Sequence, residues 1–114
     1  TAILDTAKER DIHPLLMFAI AGQEQSFVPR RSSLAGKIAN NPFNVYGSWE
    51  KYNTNIYDSA RLAAGVIINS SRGRPAYMNP IKWINRRYAE DQNWWKNVSS
   101  LFKQMKREVM EVDM

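Results

Sequence analysis

The apolar residues of this chain recur mainly at intervals of three and four, the spacing of helices. The clearest case is residues 14–25, "PLLMFAIAGQEQ", which are nearly all apolar and predict a helix buried at the centre of the domain. Residues 3–10, "ILDTAKER", predict a shorter helix before it. Pro14 separates the two helices, because the residue before a proline avoids the helical region and proline suits a first helical turn.

Three more helices are predicted further along the chain, over residues 60–69, 80–90 and 94–112. Asp58 or Ser59 is the predicted N-cap of the first of these three, since both residue types favour that position. The pattern therefore predicts a mainly α-helical bundle of about five helices.

A long polar stretch, residues 26–57, lies between the second and third predicted helices. Its prolines and glycines favour loops and turns, with at most one small β-hairpin. Because long connections in small domains are usually functional, this stretch is where we expect binding residues.

Length and composition narrow the class of protein. A chain of 114 residues that is 44% hydrophobic and 24% charged suits a single ordered domain. The absence of cysteine excludes disulfides and thiolate metal sites, and His13 has no partner at ligand spacing, so we expect no metal or other cofactor. No apolar run is long enough to span a membrane. The chain begins at Thr1 rather than Met, so we expect a domain cut from a longer protein.

The net charge of +5 indicates which partners the protein could bind. A basic surface favours a polyanion such as nucleic acid, anionic lipid or a cell-wall polymer, although a basic protein without such a partner is an equal alternative. The chain has no recognisable motif for DNA or RNA, so we expect no nucleic-acid partner.

The main candidate for chemistry is Glu24. On a helix, Leu16, Ile20 and Glu24 share one face, so Glu24 extends a buried apolar stripe near the helix C-terminus. Burial and the negative end of the helix dipole both disfavour the ionised carboxylate and should raise its pKa. A carboxyl group that stays protonated near neutral pH can donate a proton to a leaving group, as glycoside cleavage requires. The alternative is a solvent-facing or purely structural Glu24.

Four segments, in order, resemble the bacterial and phage peptidoglycan endo-β-N-acetylglucosaminidases of the lysozyme-like superfamily. They are "LLMFAIAGQEQSF", "NNPFNVYGSW", "YDSARLAAGVI" and "RRYAEDQNWWKNVSSLFKQM". The resemblance covers most of residues 12–105. It implies a lysozyme-like fold, cleavage of peptidoglycan glycan strands, and a secreted, cell-wall or virion-associated protein. We expect a monomeric domain, with anionic wall polymers as further partners.

Roles carry over only where residues match. The resemblance implies that Glu24 is the general acid and that Tyr88 faces the site as a further catalytic residue. It also implies that Asn41, Phe43 and Gly47 belong to the segment lining the cleft and bind the substrate. The chain departs from the family at Pro42 and Asn44, where Leu and Gly are more frequent, and at Gln25, where Ser or Thr is frequent.

Aromatic side chains in polar segments are candidates for saccharide contact, because sugars present apolar CH faces. We predict such contacts for Tyr46 and Trp49, with Tyr57 and Tyr77 as further candidates and plain packing as the alternative. The aromatic residues on predicted helices that we expect in the core are Trp83, Trp94 and Phe102.

The second catalytic group is open. No Asp or Glu lies between Gln25 and Ser48, and the nearest acids beyond are Glu50 and Asp58. Two-carboxylate glycosidases need the second group within roughly 5 to 9.5 Å of the first. The one-carboxylate alternatives are attack by the substrate's own 2-acetamido group and lytic transglycosylation. A muramidase and a non-catalytic glycan-binding domain also remain open.

Overall fold

The computed structural model describes residues 1–25, 42–44 and 55–113, with side chains through Met110. This part of the chain contains five helices and no strand, which confirms the mainly α prediction. The helices are α1 (Ala2–Arg10), α2 (Pro14–Gln25), α3 (Ile56–Ser71), α4 (Pro80–Tyr88) and α5 (Trp94–Asp113). The predicted β-hairpin falls outside the described residues.

The first two helices begin and end as their sequence indicates. The Thr1 hydroxyl accepts a hydrogen bond from the Leu4 N–H at 3.2 Å and caps α1. Asp11 ends α1 in the left-handed conformation, at a φ of 56°. His13 Nδ1 accepts from the Leu15 N–H at 3.2 Å, just before Pro14 opens α2. His13 therefore has a capping role at the start of α2.

The start of α3 differs from the prediction. Asn55 is the N-cap, and its side-chain oxygen accepts from the Asp58 N–H at 2.9 Å. Asp58 lies in the first helical turn, where a negative charge complements the helix dipole. The predicted cap at Asp58 or Ser59 was wrong because the helix extends about one turn before the apolar run that indicated it.

The core forms where α2 packs against α5, while α1 packs against α2 and α3, and α4 packs against α3 and α5. The buried position of α2 is confirmed, since Met17, Ala19 and Ile20 have no exposed surface. Trp94 is buried as predicted, and Phe102 packs against the core. Trp83 was wrongly expected there.

Trp83 is instead partly exposed, and its ring lies 3.4 Å from the Arg86 guanidinium carbon. Its indole N–H donates to the Arg72 carbonyl at 2.9 Å. The ring therefore holds the connection between α3 and α4 against the surface of α4 rather than filling the core.

The radius of gyration is 13.9 Å, close to the roughly 13 Å of a compact domain of this length. Among the helices described, none is both long enough and apolar enough to cross a membrane. The bundle places the C-terminal end of α2 beside the N-terminal end of α5, where the candidate site lies.

Candidate active site

Glu24 is held at the last turn of α2 by two hydrogen bonds to its carboxyl group. Trp94, the first residue of α5, donates its indole N–H to Oε1 at 3.1 Å. Asn44 donates its side-chain amide to Oε2 at 3.1 Å. Each oxygen thus has its own donor, which fixes the plane of the carboxyl group.

Asn44 reaches Glu24 because the short segment 42–44 is tied to the end of α2. Gln25 donates its side-chain amide to Asn44 Oδ1 at 2.8 Å and to the Pro42 carbonyl at 3.0 Å. The Asn44 amide also bonds the Glu24 backbone carbonyl at 3.2 Å. Asn44 has a φ of 55°, a left-handed conformation that Gly and Asn adopt most readily. The position where the resembled family more often has Gly therefore has a backbone suited to Gly.

Tyr88 and Trp94 form an aromatic pair beside Glu24. Their rings stack with centroids 5.1 Å apart and an interplanar angle of 21°. The Tyr88 hydroxyl donates to the Phe43 carbonyl at 3.3 Å. Tyr88 ends α4 and Trp94 begins α5, so the connection between these helices sets the position of both rings.

Asn85 fixes that connection. It is buried on α4, and its amide donates to the carbonyls of Ala89 at 3.2 Å and Asp91 at 2.9 Å. Its Oδ1 accepts from the Trp95 N–H at 3.1 Å. One side chain therefore closes the turn and caps the start of α5, which keeps the Trp94 indole aimed at Glu24.

The electrostatics agree with the sequence expectation for Glu24. Burial raises the pKa of the Glu24 carboxyl above its usual 4.5, while the hydrogen bonds from Asn44 and Trp94 lower it and only partly offset burial. Burial, and then the nearby Glu24 charge, raise the pKa of the Tyr88 phenol, so Tyr88 stays protonated and acts as a donor.

The two partners of Glu24 matter for proton transfer. An indole N–H and an amide N–H donate and do not accept, so neither can take the proton of a protonated Glu24. The amide oxygen of Asn44 already accepts from Gln25. The two partners therefore orient the carboxyl group, and neither of them takes its proton.

The structure brings together three of the residues singled out from the sequence, Glu24, Tyr88 and Phe43. Phe43 is 1% exposed, so its side chain belongs to the core and only its carbonyl serves the site. This differs from the predicted glycan contact and follows from the fit of a large apolar ring into the bundle.

The remaining candidates from the sequence either make no hydrogen bond with the Glu24 cluster or lie outside the described residues. Tyr57 is half exposed on the first turn of α3, and Tyr77 is 87% exposed between α3 and α4. Neither takes part in the hydrogen bonds around Glu24 among the described residues. The predicted contacts that fall outside the described residues are Asn41, Tyr46, Gly47 and Trp49.

Sequence reasoning missed the two donors to Glu24. Trp94 was expected only in the core, and Asn44 was noted only as a departure from the family. A signal was present for Asn44, because an Asn where the resembled family favours Gly indicates a left-handed backbone at that position. No comparable local signal marks Trp94.

Within residues 1–25, 42–44 and 55–110, no second carboxyl group joins the hydrogen bonds of Glu24. Asp58 lies in the first turn of α3, and Glu50 is outside the described residues. The same part of the chain has no group of three His, Asp or Glu side chains that could hold a metal ion.

Comparison with protein-family models, with curated proteins and with solved structures found no match to this chain. The class that the structure itself defines is a mainly α-helical domain with a partly buried, hydrogen-bonded glutamate between α2 and α5.

The raised pKa of Glu24 predicts a pH-dependent stability difference. The native state binds the Glu24 proton more tightly than the unfolded state does. This proton binding stabilises the native state fully below pH 4.5, the usual pKa of the group, and the stabilisation is lost as pH rises through the higher native pKa. Glu24→Gln has no such loss. We expect its free energy of unfolding, relative to wild type, to rise between about pH 4 and about pH 8, measured by urea unfolding. A difference independent of pH would contradict the raised pKa.

Replacing Asn44 should move the pKa of Glu24. Asn44→Gly keeps a residue that tolerates the left-handed φ but removes the amide donor to Oε2. Because that hydrogen bond lowers the pKa of Glu24, we expect the pKa to rise further in this variant. The ¹³C chemical shift of the Glu24 carboxyl carbon during a pH titration measures the change. Asn97→Gly, on the exposed surface of α5, is the control and should leave the titration unchanged. An unchanged titration in Asn44→Gly would mean that Asn44 does not bind the ionised carboxylate.

Proposed function

We propose that this chain is a peptidoglycan-cleaving glycosidase domain of lysozyme-like fold, with Glu24 as the general acid. The observation that carries the proposal is a carboxyl group with a raised pKa whose two oxygens are fixed by donors that cannot accept its proton. The four ordered segments that resemble the glucosaminidase family give the substrate class. A β-N-acetylglucosaminidase is the reaction we favour.

In this proposal Glu24 protonates the oxygen of the scissile glycosidic bond, and the leaving sugar departs as that bond breaks. The anomeric carbon is then attacked by water, or by the substrate's own 2-acetamido oxygen to give an oxazoline that water opens. In the transglycosylase alternative it is attacked by the 6-hydroxyl of the same muramic residue, whose proton returns to Glu24. All three routes use Glu24 first as an acid. The last two need no second carboxylate from the protein.

The proposed role of Tyr88 follows from its contacts. Its hydroxyl bonds Phe43 and its ring stacks on Trp94. We assign Tyr88 the role of holding the segment 42–44 and the Trp94 indole in place, so that both donors reach Glu24. The same proposal gives a secreted, cell-wall or virion-associated location and anionic wall polymers as secondary partners, to which the positive charge would be attracted.

The test is the chemical identity of the new ends. Purified cell walls are digested with the protein, and the soluble fragments are reduced and analysed by mass spectrometry. Reducing ends on N-acetylglucosamine are the expected result. Reducing ends on muramic acid would assign a muramidase, and 1,6-anhydro ends a lytic transglycosylase. No new ends of any kind would overturn the enzymatic proposal.

One observation favours a second candidate, a domain that holds glycan without cleaving it. No second carboxylate joins the hydrogen bonds of Glu24 among the described residues. Such a domain would bind insoluble cell walls in a sedimentation assay and release no fragments. Its Glu24→Gln variant would bind the walls equally well.

A further inference from the structure

An open cavity of about 620 Å³ lies between α4 and the start of α5, on residues that make no hydrogen bond to Glu24. Its wall includes Ala89 and Trp95, the chain neighbours of Tyr88 and Trp94. Cavities of roughly 300 to 1,000 Å³ are the size that accommodates small-molecule ligands. The cavity therefore has room for a ligand with one or two rings.

The Trp95 ring forms the apolar part of this cavity. It is partly exposed, and the N–H of its backbone is fixed by Asn85 at 3.1 Å. The ammonium groups of Lys82 and Lys96 lie 5.3 and 6.0 Å from the ring centroid. The cavity therefore contains one aromatic ring and two lysine ammonium groups, one from α4 and one from α5.

The charge of the cavity is positive. Lys82, Arg86 and Lys96 line it against a single carboxylate, Glu90. Arg86 is already engaged, because it stacks on Trp83 and bonds two backbone carbonyls. Within the described residues, neither lysine ammonium has an ion-pair partner. Both ammonium groups lie farther from the Trp95 ring than Arg86 lies from the Trp83 ring, so they are held less firmly than Arg86 and can turn to bind an anion.

We propose that this cavity binds a carboxylated sugar, with the ring lying on Trp95 and the carboxylate between Lys82 and Lys96. A sugar ring offers the apolar CH face that a partly exposed indole can cover. Its carboxylate matches two mobile ammonium groups better than a neutral sugar does, and a small inorganic anion would leave the indole face unused.

N-acetylmuramic acid is the carboxylated sugar of the proposed substrate, so this choice of ligand rests on the proposed function. Glucuronic acid has the same chemistry from another source. Both are monosaccharides without a glycosidic bond to cleave. Binding to this cavity can therefore succeed or fail independently of cleavage at Glu24.

The experiment follows the four tryptophan indole N–H signals by NMR as each sugar is added to the full chain. We expect N-acetylmuramic acid to shift the Trp95 signal in a saturable way, and to bind at least about tenfold more tightly than N-acetylglucosamine, which lacks the lactyl carboxylate, a difference of about 1.4 kcal/mol. Binding should weaken as salt is added. Glucuronic acid that binds as tightly would keep the carboxylated-sugar site but remove the preference for the muramic acid of peptidoglycan.

Matched variants locate the site. Lys82→Met combined with Lys96→Met should weaken N-acetylmuramic acid binding about tenfold or more. Lys103→Met combined with Lys106→Met changes two exposed lysines on the same helix α5 and should leave binding unchanged. Circular dichroism shows whether each variant keeps its helices.

Several results would overturn the proposal. They are equal affinity for the neutral sugar, equal affinity for inorganic phosphate, a shift confined to the Trp94 signal, and the absence of saturable binding. Equal loss of affinity in both lysine pairs would also overturn it, because attraction would then come from the general charge of the protein.

Discussion

Glu24→Gln should reduce cleavage of cell-wall glycan by about 10²- to 10⁴-fold, the contribution typical of a positioned general acid. Glutamine has nearly the same shape, and its oxygen can still accept from the Trp94 indole. What it lacks is a proton that can be transferred to the leaving group. The rate at which reducing sugar is released from purified walls measures the effect. Thermal unfolding checks that the variant is folded.

Glu9→Gln is the matched control, because Glu9 is an exposed glutamate on α1. It should retain the wild-type rate. The pH dependence supplies a second criterion, since activity that needs a protonated Glu24 falls as pH rises through its raised pKa. Full activity of Glu24→Gln would remove Glu24 from the reaction and leave its two hydrogen bonds as structural contacts.

Trp94→Ala should be the most destabilising single substitution at the site, costing about 3–5 kcal/mol of the free energy of unfolding. Trp94 is 3% exposed, stacks on Tyr88 and donates to Glu24. Its removal leaves a large cavity between α2, α4 and α5. Urea unfolding measures the loss.

Two further variants separate packing from hydrogen bonding at this position. Trp94→Phe keeps most of the ring but not the N–H, so we expect a smaller loss of stability together with a further rise in the pKa of Glu24. Trp95→Ala, at the partly exposed neighbouring indole, should cost less than Trp94→Ala. A larger loss for Trp95→Ala would contradict the central packing role of Trp94.

The fold was largely predictable because its helices have strong local signals. The apolar run over residues 14–25 predicted α2, and the helices predicted over residues 80–90 and 94–112 are present as α4 and α5. The start of α3 was missed because Asn55 is followed by Ile56 and Tyr57, so the cap precedes the apolar pattern that indicated the helix. The position of a cap depends on the geometry of the preceding loop, which periodicity does not describe.

The site was only partly predictable. Glu24 was identified because it continues a stripe on its own helix, a local property. Its partners are distant in the chain, since Asn44 is 20 residues away and Trp94 is 70. Which indole meets which carboxylate depends on how α2 packs on α5, and the hydrophobic pattern of each helix leaves that register undetermined. The same reason explains why Trp83 and Trp94 could not be distinguished as surface and core residues.

The hydrogen bond between Trp94 and Glu24 has a consequence for biosynthesis. It closes a loop of 70 residues, so a nascent chain on the ribosome cannot form it until the start of α5 has emerged from the exit tunnel. A polypeptide arrested before that point carries Glu24 but lacks both the indole donor and the packing of α5 against α2. The environment that raises the pKa of Glu24 is therefore completed late, when α5 docks.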